Sequence, residues 1–246
     1  MLNYKSFHHL PSAEELPSSD DTPVDNELQN LIPNLLLATL AMIWAERMDW
    51  FFGVDMGIFY IPNQRSPKPL VPDGFLSIGV ERRKGQRGRL SYVLWEENYV
   101  VPLLALECVS QNYGGEYDDK QQKYAQLGIL YYVIYNPEFW KRDKHKPFEV
   151  YRLVDGEYVR QQEEPFWIPE IGLGIGRGQG MYGGWTREWL YWYAENGAKF
   201  PSPDEATMEQ QLRANEAEKR AKQAEQQLAE MDVLLKQYQE RFGDLQ

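Results

Sequence analysis

The chain has one cysteine, Cys108, and three histidines among 246 residues. A lone thiol excludes an internal disulfide and a thiolate metal cluster. His8 and His9 are adjacent but have no other ligand type close by, and His145 is the only histidine of the central region. Long apolar runs are missing too. The longest, Leu35 to Trp44, falls well short of the ~18 residues that mark a membrane span. The N-terminal stretch lacks the basic start and apolar segment of a secretory signal, so a cytoplasmic location is expected, with no membrane partner.

Basic excess is also absent: the net charge is −11, which by itself argues against a nucleic-acid partner. Its distribution weakens that argument. Residues 1–30 hold six acids against one lysine, and residues 204–246 hold ten acids against six bases. The stretch between them is therefore nearly neutral. It contains one basic knot, Arg82, Arg83, Lys84, Arg87 and Arg89, which reads either as a solvated loop or as a DNA-binding, phosphate-contacting one. A second basic stretch, Lys141-Arg142-Asp143-Lys144-His145-Lys146-Pro147, surrounds the central histidine.

With 43% hydrophobic and 14% aromatic residues, the chain can bury a substantial core. Three segments are expected: a disordered arm over 1–25, a globular body over 26–202 and a helical tail over 203–246. In the body, Pro33 suits the first turn of a buried helix that ends before Gly53. WFFGVDMGIFYIP reads as one strand or a bent pair, and GFLSIGV and VVPLLALECVS as further strands. EYDDKQQKYAQLG turns helical, with Gly128 as its stop. ILYYVIYNP is a strand, and FEVYRLVDGEYVRQQ a hairpin turning at Asp155-Gly156. TREWLYWYAENG reads as a closing amphipathic helix. GLGIGRGQGMYGG fits neither common phosphate-loop spacing and is expected as a flexible loop or irregular edge. In the tail, Ala217, Ala221, Ala224, Leu228, Met231, Leu235, Tyr238 and Phe242 alternate by four and three. That heptad seam suits a coiled coil joining two copies, with a lone helix lying on the body as the alternative.

Chemistry is suggested by a carboxylate inside a strand. Alternation puts Leu103, Ala105, Glu107 and Val109 on one face and Leu104, Leu106 and Cys108 on the other. A Glu in that company is costly unless it lies at the strand end near water, pairs with a base, or serves as a metal ligand or general base. Upstream, Pro72-Asp73-Gly74 opens another apolar strand, although that tripeptide is also a strong turn signal. Downstream, Lys120 and Tyr124 lie four apart on one helix face, where an exposed lysine and a core tyrosine would be the ordinary reading. An Asp on one strand, a Glu on the next and a Lys on the following helix could together hold Mg²⁺ and stabilise the charge that grows on a phosphate under attack.

At these residues the sequence resembles the Uma-type restriction endonuclease family, once described only as a domain of unknown function, within the PD-(D/E)XK nuclease superfamily. The likeness rests on Pro72-Asp73, Leu106-Glu107-Cys108-Val109-Ser110, Lys120 through Tyr124, Gly128-Ile129 and Tyr131-Tyr132-Val133-Ile134-Tyr135-Asn136-Pro137. The resemblance implies an α/β restriction-endonuclease-like fold, a mixed sheet flanked by helices, and a Mg²⁺- or Mn²⁺-dependent endonuclease acting on DNA. It implies Asp73 and Glu107 as metal ligands, with Lys120 as the catalytic lysine and Lys123 as its fallback. The superfamily position for that lysine, two residues after the Glu, is Val109 here. Glu46 is the available carboxylate for a contribution from the first helix, and Tyr124 belongs to the same motif. The chain departs from the family pattern in lacking a histidine in the opening helix and in reading Tyr-Val-Ile-Tyr-Asn-Pro where Tyr-Trp-x-x-Asp-Pro is usual. A nonenzymatic module that keeps the fold and binds nucleic acid, or assembles through the coiled coil, is the competing function.

Overall fold

The computed structural model describes residues 10–16, 27–61, 68–111 and 114–243. Its centre is β5 (Leu104–Cys108), all five residues of which are buried. It runs parallel to β6 (Tyr131–Tyr135), likewise buried throughout. Strands covered on both faces carry continuous apolar runs, which is how both segments read. A parallel pair needs a crossover, and α2 (Asp119–Leu127) supplies it. Gly128 closes α2 in the left-handed conformation, with φ 89°, as its position after the last helical turn predicts.

Antiparallel neighbours complete a six-stranded mixed sheet. β1 (Trp50–Val54) and β3 (Gly74–Ile78) lie beside β5, and β7 (Phe148–Val154) and β8 (Glu157–Arg160) beyond β6, in the order β1-β3-β5-β6-β7-β8. Asp155 and Gly156 join β7 to β8, both with positive φ, as a tight two-residue hairpin turn requires. Two short strands, β2 (Ile58–Phe59) and β4 (Tyr92–Val93), pair in parallel off the main sheet.

The two faces of the sheet are covered by different elements. Leu104, Leu106 and Cys108 pack in one core with α1 (Glu27–Ile43), while Ala105 and Val109 pack in the other with Tyr124 and Leu127 of α2. The expected alternation along β5 is thus the division between the two cores. Three further strands, β9 (Phe166–Ile168), β10 (Leu173–Tyr182) and β11 (Trp185–Tyr193), form an antiparallel sheet whose aromatic residues join the α1 core. Trp192 donates its Nε1–H to the carbonyl of Leu36 on α1 at 2.9 Å, fully buried.

Those last two strands replace the expected loop and closing helix. In β10, Gly174, Gly176, Gly178 and Gly180 recur at every second position, which is strand periodicity. A side chain at 176 would meet the backbone of Pro165 at 2.9 Å, so the glycines admit close neighbours. In β11, Trp189, Tyr191 and Tyr193 alternate against Leu190 and Trp192, and aromatic residues favour the pleated surface. Two smaller corrections concern the ends of the body. Pro33 lies inside α1, six residues past its start. Part of the expected arm is docked: Trp95 donates to the carbonyl of Pro11 at 2.6 Å, and Leu16 is buried against Phe59 and Val93. The remainder of that arm, His8 and His9 included, lies outside the described residues.

The chain divides into two compact units at Ser202 and Pro203. The second is a single helix, α4 (Pro203–Phe242), forty residues long. Its i,i+4 pairs include Glu218 with Lys222 at 2.7 Å and Glu209 with Arg213, a spacing that supports an isolated helix by a few tenths of a kcal/mol per pair. The seam residues Leu228, Met231, Leu235 and Tyr238 are all exposed in the single chain. No helix among the described residues is long and apolar enough to cross a membrane.

Candidate active site

Asp73 immediately precedes β3, and Glu107 is the fourth residue of β5. Gly74 lies opposite Leu106, so one step further the antiparallel register sets Asp73 beside Glu107. The same counting extends the row in both directions. Val54 lies opposite Gly74, which aligns Asp55 with Asp73; Glu107 lies beside Ile134, and Ile134 opposite Glu149. Asp55, Asp73, Glu107, Ile134 and Glu149 therefore cross the sheet at one end, one residue from each of five adjacent chain segments.

Asp73 is 6% exposed and Glu107 1%, so both charges depend on what surrounds them. Asp73 accepts the backbone N–H of Cys108 on Oδ2 at 2.5 Å and the side-chain amide of Gln29 on Oδ1 at 3.1 Å. Glu107 accepts the Lys120 ammonium on Oε2 at 2.8 Å and the Tyr124 hydroxyl on Oε1 at 2.5 Å. Lys120 and Tyr124 sit one helical turn apart on α2, so a single face of the helix clamps both oxygens.

Burial, then the charge of Glu107, holds the Asp73 carboxyl well above the usual range; the Cys108 N–H and Lys120 work the other way. Burial also raises Glu107, against the pull of Lys120 and Tyr124. For Lys120, burial favours the neutral amine, but the attraction and hydrogen bond of Glu107 outweigh it and keep the ammonium charged. Burial and the neighbouring Glu107 charge hold the Tyr124 hydroxyl protonated. The Cys108 thiol is likewise held protonated by burial and by Asp73 and Glu107, which makes it inert as a nucleophile.

This donor set suits a small hard cation. Each of the four carboxylate oxygens accepts a protein hydrogen bond and has a further lone pair. The two carboxylates raise each other's cost of ionisation, a cost that a divalent cation between them would relieve. Among the described residues, no group of three or more His, Cys, Asp or Glu forms a metal cage. Mg²⁺ does not need one, because it keeps several waters and takes one or two carboxylates together with substrate phosphate. Asp73 and Glu107 therefore fit the ion.

The other expected site residues are placed differently. Glu46 is exposed beyond the last turn of α1. The residue of α1 that does reach Asp73 is Gln29, in the first turn and roughly 20 Å away along the helix axis. Gly74 makes that reach possible: a side chain there would lie 3.1 Å from the Pro33 ring, so its absence lets α1 approach the start of β3. Lys123 is exposed on α2, and the α2 residues that hold Glu107 are Lys120 and Tyr124.

The basic knot at 82–89 follows the far end of β3, about 17 Å of strand from Asp73. It is anchored there, with Arg82 over the Trp50 ring at 3.9 Å and Arg89 over Phe51 at 4.4 Å. The Arg89 side chain is 2% exposed and forks both oxygens of Glu97, while Lys84 reaches Glu97 at 2.9 Å. Those two bases are structural counter-ions and do not rim the carboxylate pair. Arg83 and Arg87 remain exposed.

Sequence reasoning missed Asp55, Gln29 and Asn136 as neighbours of the site. Asp55 donates its backbone N–H to the carbonyl of Asp73 at 3.2 Å, and its charge adds to the upward pressure on the Asp73 carboxyl. The flanking glycines of Gly53-Val54-Asp55-Met56-Gly57 were its available signal. Asn136 donates to Asp143 at 2.8 Å and accepts the N–H of Phe139, tying down the segment that follows β6.

A solved structure titled as that of a "putative nuclease belonging to DUF820" from Anabaena variabilis is similar to the chain, with 13% identity and a TM-score of 0.40 over 60% of this chain and 74% of that one. No curated protein matches the chain. The model of the Uma2 family, described as "Putative restriction endonuclease", matches residues 21–181, a span that holds Asp73, Glu107 and Lys120, and the chain belongs to that family.

Proposed function

We propose that the chain is a divalent-metal-dependent endonuclease that hydrolyses phosphodiester bonds in DNA. The observation that carries this reading is the 2.8 Å contact of Lys120 with Glu107. The lysine comes from the helix after the strand, yet it reaches the same carboxylate that a lysine two residues further along the strand would flank. Asp73 and Glu107 are the residues that would hold Mg²⁺ or Mn²⁺. Such an ion, when bound, lowers the pKa of a coordinated water and offsets charge on the phosphate.

The chain's own groups have distinct tasks in this reading. Lys120, kept charged beside Glu107, supplies an ammonium for the negative charge that builds on the non-bridging phosphate oxygens as water attacks phosphorus. Tyr124 fixes the second oxygen of Glu107, and the Cys108 N–H fixes Asp73. These contacts set the rotamers of both carboxylates before substrate arrives. The exposed heptad seam of α4 supports pairing of two copies through a coiled coil, which suits an enzyme that must cut two strands.

The test is cleavage of supercoiled plasmid in Mg²⁺ or Mn²⁺, comparing the full chain with Glu107→Gln. Metal-dependent nicking reduced at least a hundredfold in a variant with unchanged circular dichroism is the expected outcome. Equal behaviour of the two proteins would overturn the reading in favour of a nonenzymatic module that binds nucleic acid or assembles through α4.

A further inference from the structure

We infer that the segment between β6 and β7, residues 136–147, is the rim along which a nucleic-acid backbone lies. This inference rests on the nuclease reading and names the surface that would hold its substrate. β5 and β6 are parallel, with Cys108 beside Tyr135, so the chain leaving β6 emerges at the same end as Glu107. The segment then returns into β7, where Glu149 lies in the same row as Asp73 and Glu107.

Its net charge is positive, with four bases against two acids. Lys141, Arg142, Lys144 and Lys146 are exposed, and α3 (Trp140–Asp143) carries the first two. Of its two acids, Glu138 lies 3.9 Å from Arg187 and Asp143 is already engaged by Arg142 and Asn136. Lys144 and Lys146 form no ion pair with any described residue, in contrast to Lys84 and Arg89, whose charges are met by Glu97.

The segment is also fixed in place. Arg142 donates to the carbonyl of Gln111 at 2.7 Å and to that of Ser110 at 3.5 Å, and Ser110 is only three residues beyond Glu107, about 10 Å of extended chain. On the other side, His145 stacks on Tyr117 with ring centroids 3.6 Å apart, and its Nδ1 lies 3.1 Å from the buried carboxylate of Glu149. Arg160 and Tyr151 meet the same carboxylate at 3.0 Å each. The backbone N–H of Lys146 donates to it at 3.3 Å, so a buried glutamate with four partners braces the loop that presents Lys144 and Lys146. Held cations lose less freedom on meeting phosphate than mobile ones do, and each phosphate neutralised releases counterions.

The experiment measures binding of a fluorescein-labelled 30-base-pair duplex to the full chain in EDTA, as a function of salt. Two charge-matched variants are compared, Lys144→Gln/Lys146→Gln and Arg83→Gln/Arg87→Gln. The first should bind about tenfold more weakly, with the slope of log K against log salt shallower by about 1.8, the loss of two phosphate contacts. The second should match the parent. Parent-like binding by the Lys144/Lys146 variant, or a loss confined to the Arg83/Arg87 variant, would overturn the inference while leaving a DNA-binding protein. A parent that binds no duplex and cuts no plasmid would overturn the nuclease reading and this inference together.

Discussion

Lys120 donates to Glu107 across thirteen residues and one change of secondary structure, from the middle of a sheet to the first turn of a helix. The pair is asymmetric: the glutamate is 1% exposed and the lysine side chain 30%. Removing the lysine strands a buried carboxylate, whereas removing the carboxylate leaves an ammonium that can turn to water. Lys120→Met should therefore cost more stability than Glu107→Gln. Unpaired buried ions cost ~3–5 kcal/mol, and partial solvent access brings this case nearer ~2. Chemical denaturation of both variants checks the order. A Glu107→Gln protein less stable than Lys120→Met would contradict this account of the pair.

Asp73 should make the metal-free protein more stable in mild acid than at neutral pH. Its carboxyl is raised in the folded state, by burial first and by Glu107 second. A raised acid contributes stability fully below its unfolded pKa and loses it as pH climbs through the folded value. Asp73→Asn keeps an acceptor for the Cys108 N–H and removes the charge, so its Tm at neutral pH in EDTA should exceed the parent's. The gap should close as pH falls. At this chain length a change of ~1 kcal/mol moves Tm by ~2–4 °C. Added Mg²⁺ should raise the parent's Tm and leave the variant's unchanged; the opposite response would remove Asp73 from the ion.

Tyr124→Phe tests whether the second oxygen of Glu107 needs its donor. The hydroxyl is fully buried and makes a 2.5 Å bond. Its loss should cost ~1–3 kcal/mol, the price of an unsatisfied buried acceptor. If Tyr124 positions Glu107, plasmid cleavage should also fall, with the parent's metal requirement retained but a higher Mg²⁺ concentration needed for half-maximal rate. Lower stability with an unchanged metal titration would reduce Tyr124 to packing.

What the sequence made readable follows from how local each signal is. Glu107 stood out because a charge interrupts a continuous apolar run, and Lys120 with Tyr124 because helical spacing needs only five residues. Gly128 and Asp155-Gly156 declared their own backbone geometry. The glycine-rich strand β10 was not readable as a strand, because four of its ten residues carry no side chain to mark a face. β11 was misread because Trp189, Leu190, Tyr191, Trp192 and Tyr193 are apolar without a gap, so a helix and a two-sided strand fit equally well. Gln29 was hidden by placing the start of α1 at Pro33. The fate of the 82–89 knot depended on Glu97, a partner that only the folded loop brings to Lys84 and Arg89.

Self-association should depend on the distal half of α4. Leu228, Met231, Leu235 and Tyr238 recur at heptad spacing and are each more than half exposed in the single chain. Against a second copy of the helix they would form one seam, with the smaller Ala217, Ala221 and Ala224 ahead of them. Sedimentation equilibrium at micromolar concentration should give twice the chain mass for the full protein and a single chain mass for Leu228→Lys/Leu235→Lys. A parent that sediments as one chain throughout would exclude the coiled-coil dimer.

Arg89 provides the control that separates basic residues of the fold from basic residues of a binding surface. It contacts Glu97 on both oxygens and the carbonyl of Glu81, with its guanidinium over the Phe51 ring. Burial pushes Glu97 up, but its bonds to Arg89 and Lys84 more than offset this and hold its carboxyl below the usual range. A lowered acid contributes stability above its unfolded pKa and loses it as pH falls through the folded one. Arg89→Ala should weaken the fold by ~2 kcal/mol, since Lys84 still meets Glu97, and should shift acid unfolding to higher pH. Arg83→Ala, at an exposed position in the same loop, should change neither, within about 0.5 kcal/mol. Acid titration followed by tryptophan fluorescence distinguishes them. Equal midpoints for the two variants would mean that the Glu97 cluster does not hold this loop.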